Sequence, residues 1–352
     1  MVLRTIRLSR VFGLAPVAVA LGLSGAASAV APELLSGPDE DVFGLALNAD
    51  LAEVFYEALT PDGRQVRRLQ LKKKTVVRPT PPMELALRAP FWVGAKKMGA
   101  TSLGGDARWA VRVEGKEPAA ASSAADLHGS ASPNGEWLAF VSGRSGSGDL
   151  FIVPAAKTNQ PPKRLSSGAM PELAPVWSPA GDQIAFLRAS PRGRELVLIE
   201  GFHGGGTVSE TVIADDRMAP IAVSFRPDGR ALGFYSRDWS AETSLVVMPV
   251  EGGTPLFSQK GVVPQPQGPA WLEGDSRWFA VTVFTDDRVV ALDQMGTPVV
   301  IETGLFGHQE VAAATFGGER TLIVAASGTD VHDGTKSFSR AGLYRVRNPI
   351  LK

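Results

Sequence analysis

The chain has 352 residues, with 36 lysines and arginines against 36 aspartates and glutamates, 44% hydrophobic residues and no cysteine. A net charge near zero gives no electrostatic footprint for nucleic acid or an anionic membrane, and the absence of cysteine excludes disulfide scaffolds and thiol chemistry. With 38 glycines and 26 prolines in so apolar a chain, the composition is that of a turn-dense β protein rather than a disordered one.

Residues 1–29 read as a secretory signal peptide. Arg4, Arg7 and Arg10 precede an apolar run over 11–23, and Ala27-Ser28-Ala29 fits the small-x-small cleavage rule. No later stretch reaches 18 uninterrupted apolar residues, so no transmembrane span is expected after signal removal, and residues 30–352 form one exported domain, periplasmic or secreted. Residues 31–41 are a polar lead-in. Residues 43–47, 53–59 and 65–71 read as three strands, the last two joined by Thr60-Pro61-Asp62-Gly63. Lys72, Lys73 and Lys74 suit a charged sheet edge better than a phosphate site, because no aromatic platform accompanies them. Residues 79–82 are a stiff linker; 84–89 resume a strand, and Phe91-Trp92-Val93 is a strand or a loop over one end. Residues 103–111 resemble 272–279, yet Asp106 lies only 29 residues before Gly135. Either that unit has lost its outer strands or the similarity marks a hairpin shared with its predecessor.

From residue 130 the same unit is written three times. It opens with Ser132-Pro133-Asn134-Gly135, Ser178-Pro179-Ala180-Gly181 and Arg226-Pro227-Asp228-Gly229, the glycines standing 46 and 48 residues apart. Each turn leads into an apolar run, a polar hairpin and a second β-type run. Gly135, Gly181 and Gly229 are expected as turn residues at positive φ. Asp275 and Arg320 hold the glycine's place in two further copies, 46 and 45 residues on. A period of this length built only of strands and turns predicts an all-β fold: a single propeller of six or seven four-stranded blades, closed by strands from both termini. The repeats are clearest over 130–257, weaker over 258–346 and irregular over 40–129. Only 347–352 follow the last strand, so the final blade's outer strand is expected from residues 31–47.

These units resemble the WD40-like propeller repeats of the TolB type. The likeness rests on Trp177 to Phe186, on Ser142, Arg144 and Gly146 with Asp149-Leu150-Phe151-Ile152, and on Phe225, Pro227, Asp228, Gly229 and Phe234 with Ser236 and Arg237. The resemblance implies export to a periplasm and a protein-binding role in the cell envelope. The α/β domain of TolB has no counterpart between Val30 and the first strands.

For chemistry the sequence offers little. His203-Gly204-Gly205-Gly206 has the look of an esterase oxyanion loop, but no G-x-S-x-G elbow accompanies it, so a plain loop is expected. His128, His203, His308 and His332 show no metal-ligand spacing. No cofactor is expected; calcium is the one cation for which loop oxygens offer candidates, at Asp330 and Asp333. Glu172, Asp216, Arg217, Gln267 and Glu310 each read as preceding an inner strand and are expected to face one mouth of the ring, as binding residues or as an acid and a base. The reading is a non-catalytic module that binds a protein or envelope component through its loop faces. The alternative is a hydrolase, lactonase or lyase using the mouth carboxylates, with or without calcium.

Overall fold

Each repeat is a small sheet with apolar residues on both faces, and such a sheet is stable only when both faces are covered by others. The computed structural model describes residues 31–48, 52–77, 86–94, 96–103, 107–116, 118–203, 207–237, 242–274, 278–316, 318–329 and 341–351. It is a seven-bladed β-propeller of antiparallel sheets. The innermost strands are Asp41–Asn48 in blade 1, Ala86–Val93 in blade 2, Asp126–Ala131 in blade 3 and Glu172–Trp177 in blade 4. Pro220–Phe225, Ala270–Glu273 and Phe306–Phe316 serve blades 5 to 7. The expected signal peptide lies outside the described residues, and among those no helix is long and apolar enough to cross a membrane.

The turns at the three clear repeats share one geometry. Gly135, Gly181 and Gly229 have φ of +71°, +77° and +74°. Their amides donate to the carbonyls of Ser132, Ser178 and Arg226 at 2.8, 2.9 and 2.8 Å.

Both termini close the ring. Glu33–Leu34 pairs with Gly342–Arg347 as the outer strand of blade 7, in the register Glu33 to Arg345 and Leu34 to Tyr344. Ile350–Leu351 adds to the outer edge of blade 6. Blade 2 has three strands among the described residues. Its second hairpin joins Lys97–Leu103 to Trp109–Val113, so the motif at 103–111 sits one hairpin further out than the Pro-x-Gly turns, which explains the short offset. The edge left there is partly capped by Ala119, whose amide donates to the Val111 carbonyl at 2.8 Å.

The core is a set of separate clusters, one in each seam between blades. Ile152, Trp177, Ile184 and Phe186 pack between blades 3 and 4, and Val42, Tyr56, Ile323 and Leu343 between blades 7 and 1. Among the described residues the cluster in the seam between blades 1 and 2 is small, Phe55, Val66 and Met98 with Ala46 and Trp92, and there Phe55 stacks on Trp92 at 4.0 Å. Lys72, Lys73 and Lys74 form an exposed turn leading into the blade-edge strand Thr75–Val77, and Lys74 pairs with Glu33 of the closing strand.

Candidate functional site

Innermost strands must both pair with their own blade and pass close to the next, and a β-bulge frees backbone groups for the second task. Registers slip between Phe43 and Ala46, between Arg88 and Phe91, and between Leu173 and Val176. At these bulges Gly44, Ala89 and Ala174 take φ of +63°, +47° and +49°. At the bulges of blades 1 and 2 the amides so released are captured across a seam by carboxylates. Glu57 of blade 1 accepts from the Ala89 amide of blade 2 at 2.8 Å. Glu310 of blade 7 accepts from Gly44 at 2.7 Å and Leu45 at 2.9 Å in blade 1. From blade 7, Val311 donates to Gln265 of blade 6 at 3.0 Å, and Gly307 and His308 each donate to Asp287 of blade 6 at 2.7 Å.

The five residues expected at the mouth divide into two groups. Glu172 opens the inner strand of blade 4 and is wholly buried. It accepts from the Leu150 amide at 2.8 Å and from Ser166, and pairs with Arg188 at 3.0 Å. Burial raises its pKa against the pull of those partners. Asp216 accepts from the Ser190 hydroxyl at 2.8 Å, while Arg217 is exposed and lies 3.7 Å from Asp215. These three stand at blades 4 and 5.

Gln267 and Glu310 lie on the other side, where they share a cavity of about 280 Å³ bounded by the inner segments of blades 1, 2, 6 and 7. Its walls include Leu45, Trp92, Trp271 and Val311. Trp92 is fixed by its indole N–H donating to the Ala46 carbonyl, and Trp271 by donation to Ser224, both at 2.9 Å. The Trp271 ring covers Gly233, where a Cβ would come within 2.8 Å of it, so the small residue in the blade 5 strand sets the wall's position. Glu310 is 5% exposed. Burial pushes its carboxyl up to about 7, the nearby Glu57 charge adds to this, and the two amide bonds oppose it.

Sequence reasoning missed Glu57, Gln265 and Trp271. Glu57 left a signal: a glutamate in the buried run Glu53–Thr60 has to be paired or hydrogen-bonded. Trp271 opens the fourth copy of the repeat, yet nothing in one chain shows which rings reach the channel.

Among the described residues the histidines join no metal-binding group. Both ring nitrogens of His308 are occupied, Nδ1 by Asp287 at 2.9 Å and Nε2 by Thr303 at 2.8 Å. His203 is exposed, packs near Trp137 and Trp177, and bonds the Gly181 carbonyl at 2.9 Å through Nε2. His128 lies at the blade 3 bulge with φ of +53°. Asp330, Asp333 and His332, and with them the calcium candidates, lie outside the described residues. Among the described residues no three His, Asp or Glu side chains gather as a metal site.

No protein-family model matches the chain, and no curated protein matches it. In structure it is similar to a puromycin-hydrolyzing peptidase of Mycobacterium tuberculosis, with a TM-score of 0.61 and 16% identity over 91% of this chain and 54% of that one. It is also similar to an oligogalacturonate lyase of Vibrio parahaemolyticus, with a TM-score of 0.60 and 9% identity over 89% and 92%. A protein of Agrobacterium tumefaciens assigned as TolB gives a TM-score of 0.52 and 14% identity over 67% and 86%. The chain thus spans about half the length of the peptidase. At such identities the likeness shows the propeller fold alone, and one fold hosts many functions.

Proposed function

We propose that this chain is an exported, non-catalytic β-propeller that binds a protein or cell-envelope component through the loops and channel opening of one mouth. The supporting observation is how the mouth carboxylates are used. Glu172 is held by an arginine, a serine and a backbone amide, and Glu310 holds two amides of the first blade. Asp216 is tied to Ser190. These groups join blades or brace loops, and no two stand free as an acid and a base. Loops carried on such a ring are displayed together with little ordering cost on binding. Affinity capture from periplasmic extract with the purified chain is expected to recover one protein or envelope component stoichiometrically. Recovery of nothing above background, together with turnover of a lactone, an ester or a uronate polymer, would reverse the reading.

One observation favours the second reading, a hydrolase or lyase with or without calcium. Glu310 lines a cavity and titrates near neutrality, as a general acid or base needs. In that case Glu310→Gln abolishes turnover, whereas a binding module has none to lose.

A further inference from the structure

Six carboxylates are buried among the described residues: Glu53, Glu57, Asp126, Asp149, Glu172 and Glu310. Five have an arginine at ion-pair distance. Arg68 meets Glu53 at 2.7 Å, Arg64 meets Glu57 at 2.5 Å, and Arg144 meets Asp126 at 3.0 Å. Arg164 meets Asp149 at 2.7 Å and Arg188 meets Glu172 at 3.0 Å. Among the described residues Glu310 meets backbone amides only, and it is also the one of the six that lines the cavity. A buried carboxylate without a counter-ion is costly, and the cost is removed by a cation or by a proton. Two amide donors occupy about half of its lone-pair sites, leaving acceptor capacity on both oxygens.

The rest of the cavity says which cation fits. A hydrated metal ion calls for several oxygen ligands, but the walls here include Leu45, Val311, Trp92 and Trp271, the amide oxygen of Gln265 is taken by the Val311 amide, and Gln267 is exposed. Such walls suit an alkyl stem that carries its cationic head to Glu310. We propose that this cavity receives the lysine or arginine side chain of a partner polypeptide, with Glu310 as its counter-ion. The proposal rests on the binding reading given above and specifies the partner's chemistry: a basic residue on a segment able to enter the channel.

The test is calorimetric titration of the purified full chain with butylguanidinium, butylammonium and, as the uncharged comparison, 1-butanol. Expected is cation binding roughly tenfold or more tighter than butanol, in line with a charge-assisted bond in a desolvated site. The affinity should rise from pH 6 to pH 8, with protons released near pH 7 as the cation displaces them from Glu310. Glu310→Gln should lose the cation preference and keep whatever butanol binding exists. Proton release by the wild-type chain serves as the readout if that variant does not fold. Equal binding of butanol and cations, no binding at all, or competition by calcium chloride at equal concentration would each overturn the proposal. Its failure is separable from failure of the binding reading. A partner captured equally by wild type and Glu310→Gln leaves that reading standing and removes this one. Cation binding with no captured protein leaves Glu310 as a counter-ion for cations and removes the partner, and with it the binding reading.

Discussion

The seam between blades 3 and 4 and the seam between blades 7 and 1 use the same residue type for the same task and end in different electrical states. In the first, Glu172 reaches back to the Leu150 amide and is neutralised by Arg188. In the second, Glu310 reaches forward to Gly44 and Leu45 and meets no arginine among the described residues. The difference follows from place. Blades 3 and 4 are consecutive, and Arg188 comes from the strand Gln183–Ser190, paired directly with the one that carries Glu172. Blades 7 and 1 meet only when the ring closes, and their carboxylate lies on the channel cavity. One seam is a finished internal joint; the other holds the ring together and keeps a charge available.

The largest effect should come from breaking the finished joint. Glu172→Ala takes the buried partner from Arg188 and the acceptor from the Ser166 hydroxyl, while the Leu150 amide keeps Ser166 Oγ at 2.9 Å, and is expected to cost about 3–5 kcal/mol in urea denaturation. Phe186→Ala in the same seam, where the ring is wholly buried, is expected to cost a similar 3–5 kcal/mol, roughly.

The open joint should reveal itself by pH. Burial raises the Glu310 carboxyl from its ordinary 4.5 to about 7, so the folded chain binds this proton more tightly than the unfolded chain does. Its contribution is therefore complete below about pH 4.5 and is lost as pH rises through about 7. Over that window it amounts to roughly 3 kcal/mol. Denaturation of wild type and Glu310→Gln at a series of pH values should show that slope in the first and its loss in the second.

The two bulges offer a smaller contrast. Gly44→Ala places a Cβ 3.0 Å from Glu57 Oε1 at a φ of +63°, and is expected to destabilise by about 1–2 kcal/mol. Ala174 already bears such a backbone at +49°, so Ala174→Gly should be neutral or stabilising by up to about 1 kcal/mol in the same assay.

The propeller was legible because its repeat is local. A Pro-x-Gly turn and an apolar run every 46 or so residues are written in neighbouring positions, and the expected closing strand, somewhere in residues 31–47, is found at Glu33–Leu34. Blade 2 was harder to read because its motif sits on the second hairpin, where the same turn chemistry serves a different place in the sheet. Position before an inner strand picks out Glu172, Asp216, Arg217, Gln267 and Glu310 as one set expected at a mouth, but their fates depend on partners elsewhere in the chain. Glu310 and Gly44 are 266 residues apart. No local pattern distinguishes a glutamate that meets an arginine across a strand from one that faces a cavity.

The smallest change should come at the exposed edge of the same closure. Lys74 is 62% exposed where it pairs with Glu33, and Lys74→Ala is expected to shift stability by no more than about 1 kcal/mol, diminishing with salt.

The difference between the joints is open to carbon NMR of the chain labelled at its glutamate carboxyl carbons, titrated with and without butylguanidinium. Expected is a Glu310 midpoint near 7 that moves down when the cation is added, while the Glu172 signal does not respond. A Glu310 midpoint in the ordinary carboxylate range, or one indifferent to the cation, would contradict a buried charge kept free for a ligand.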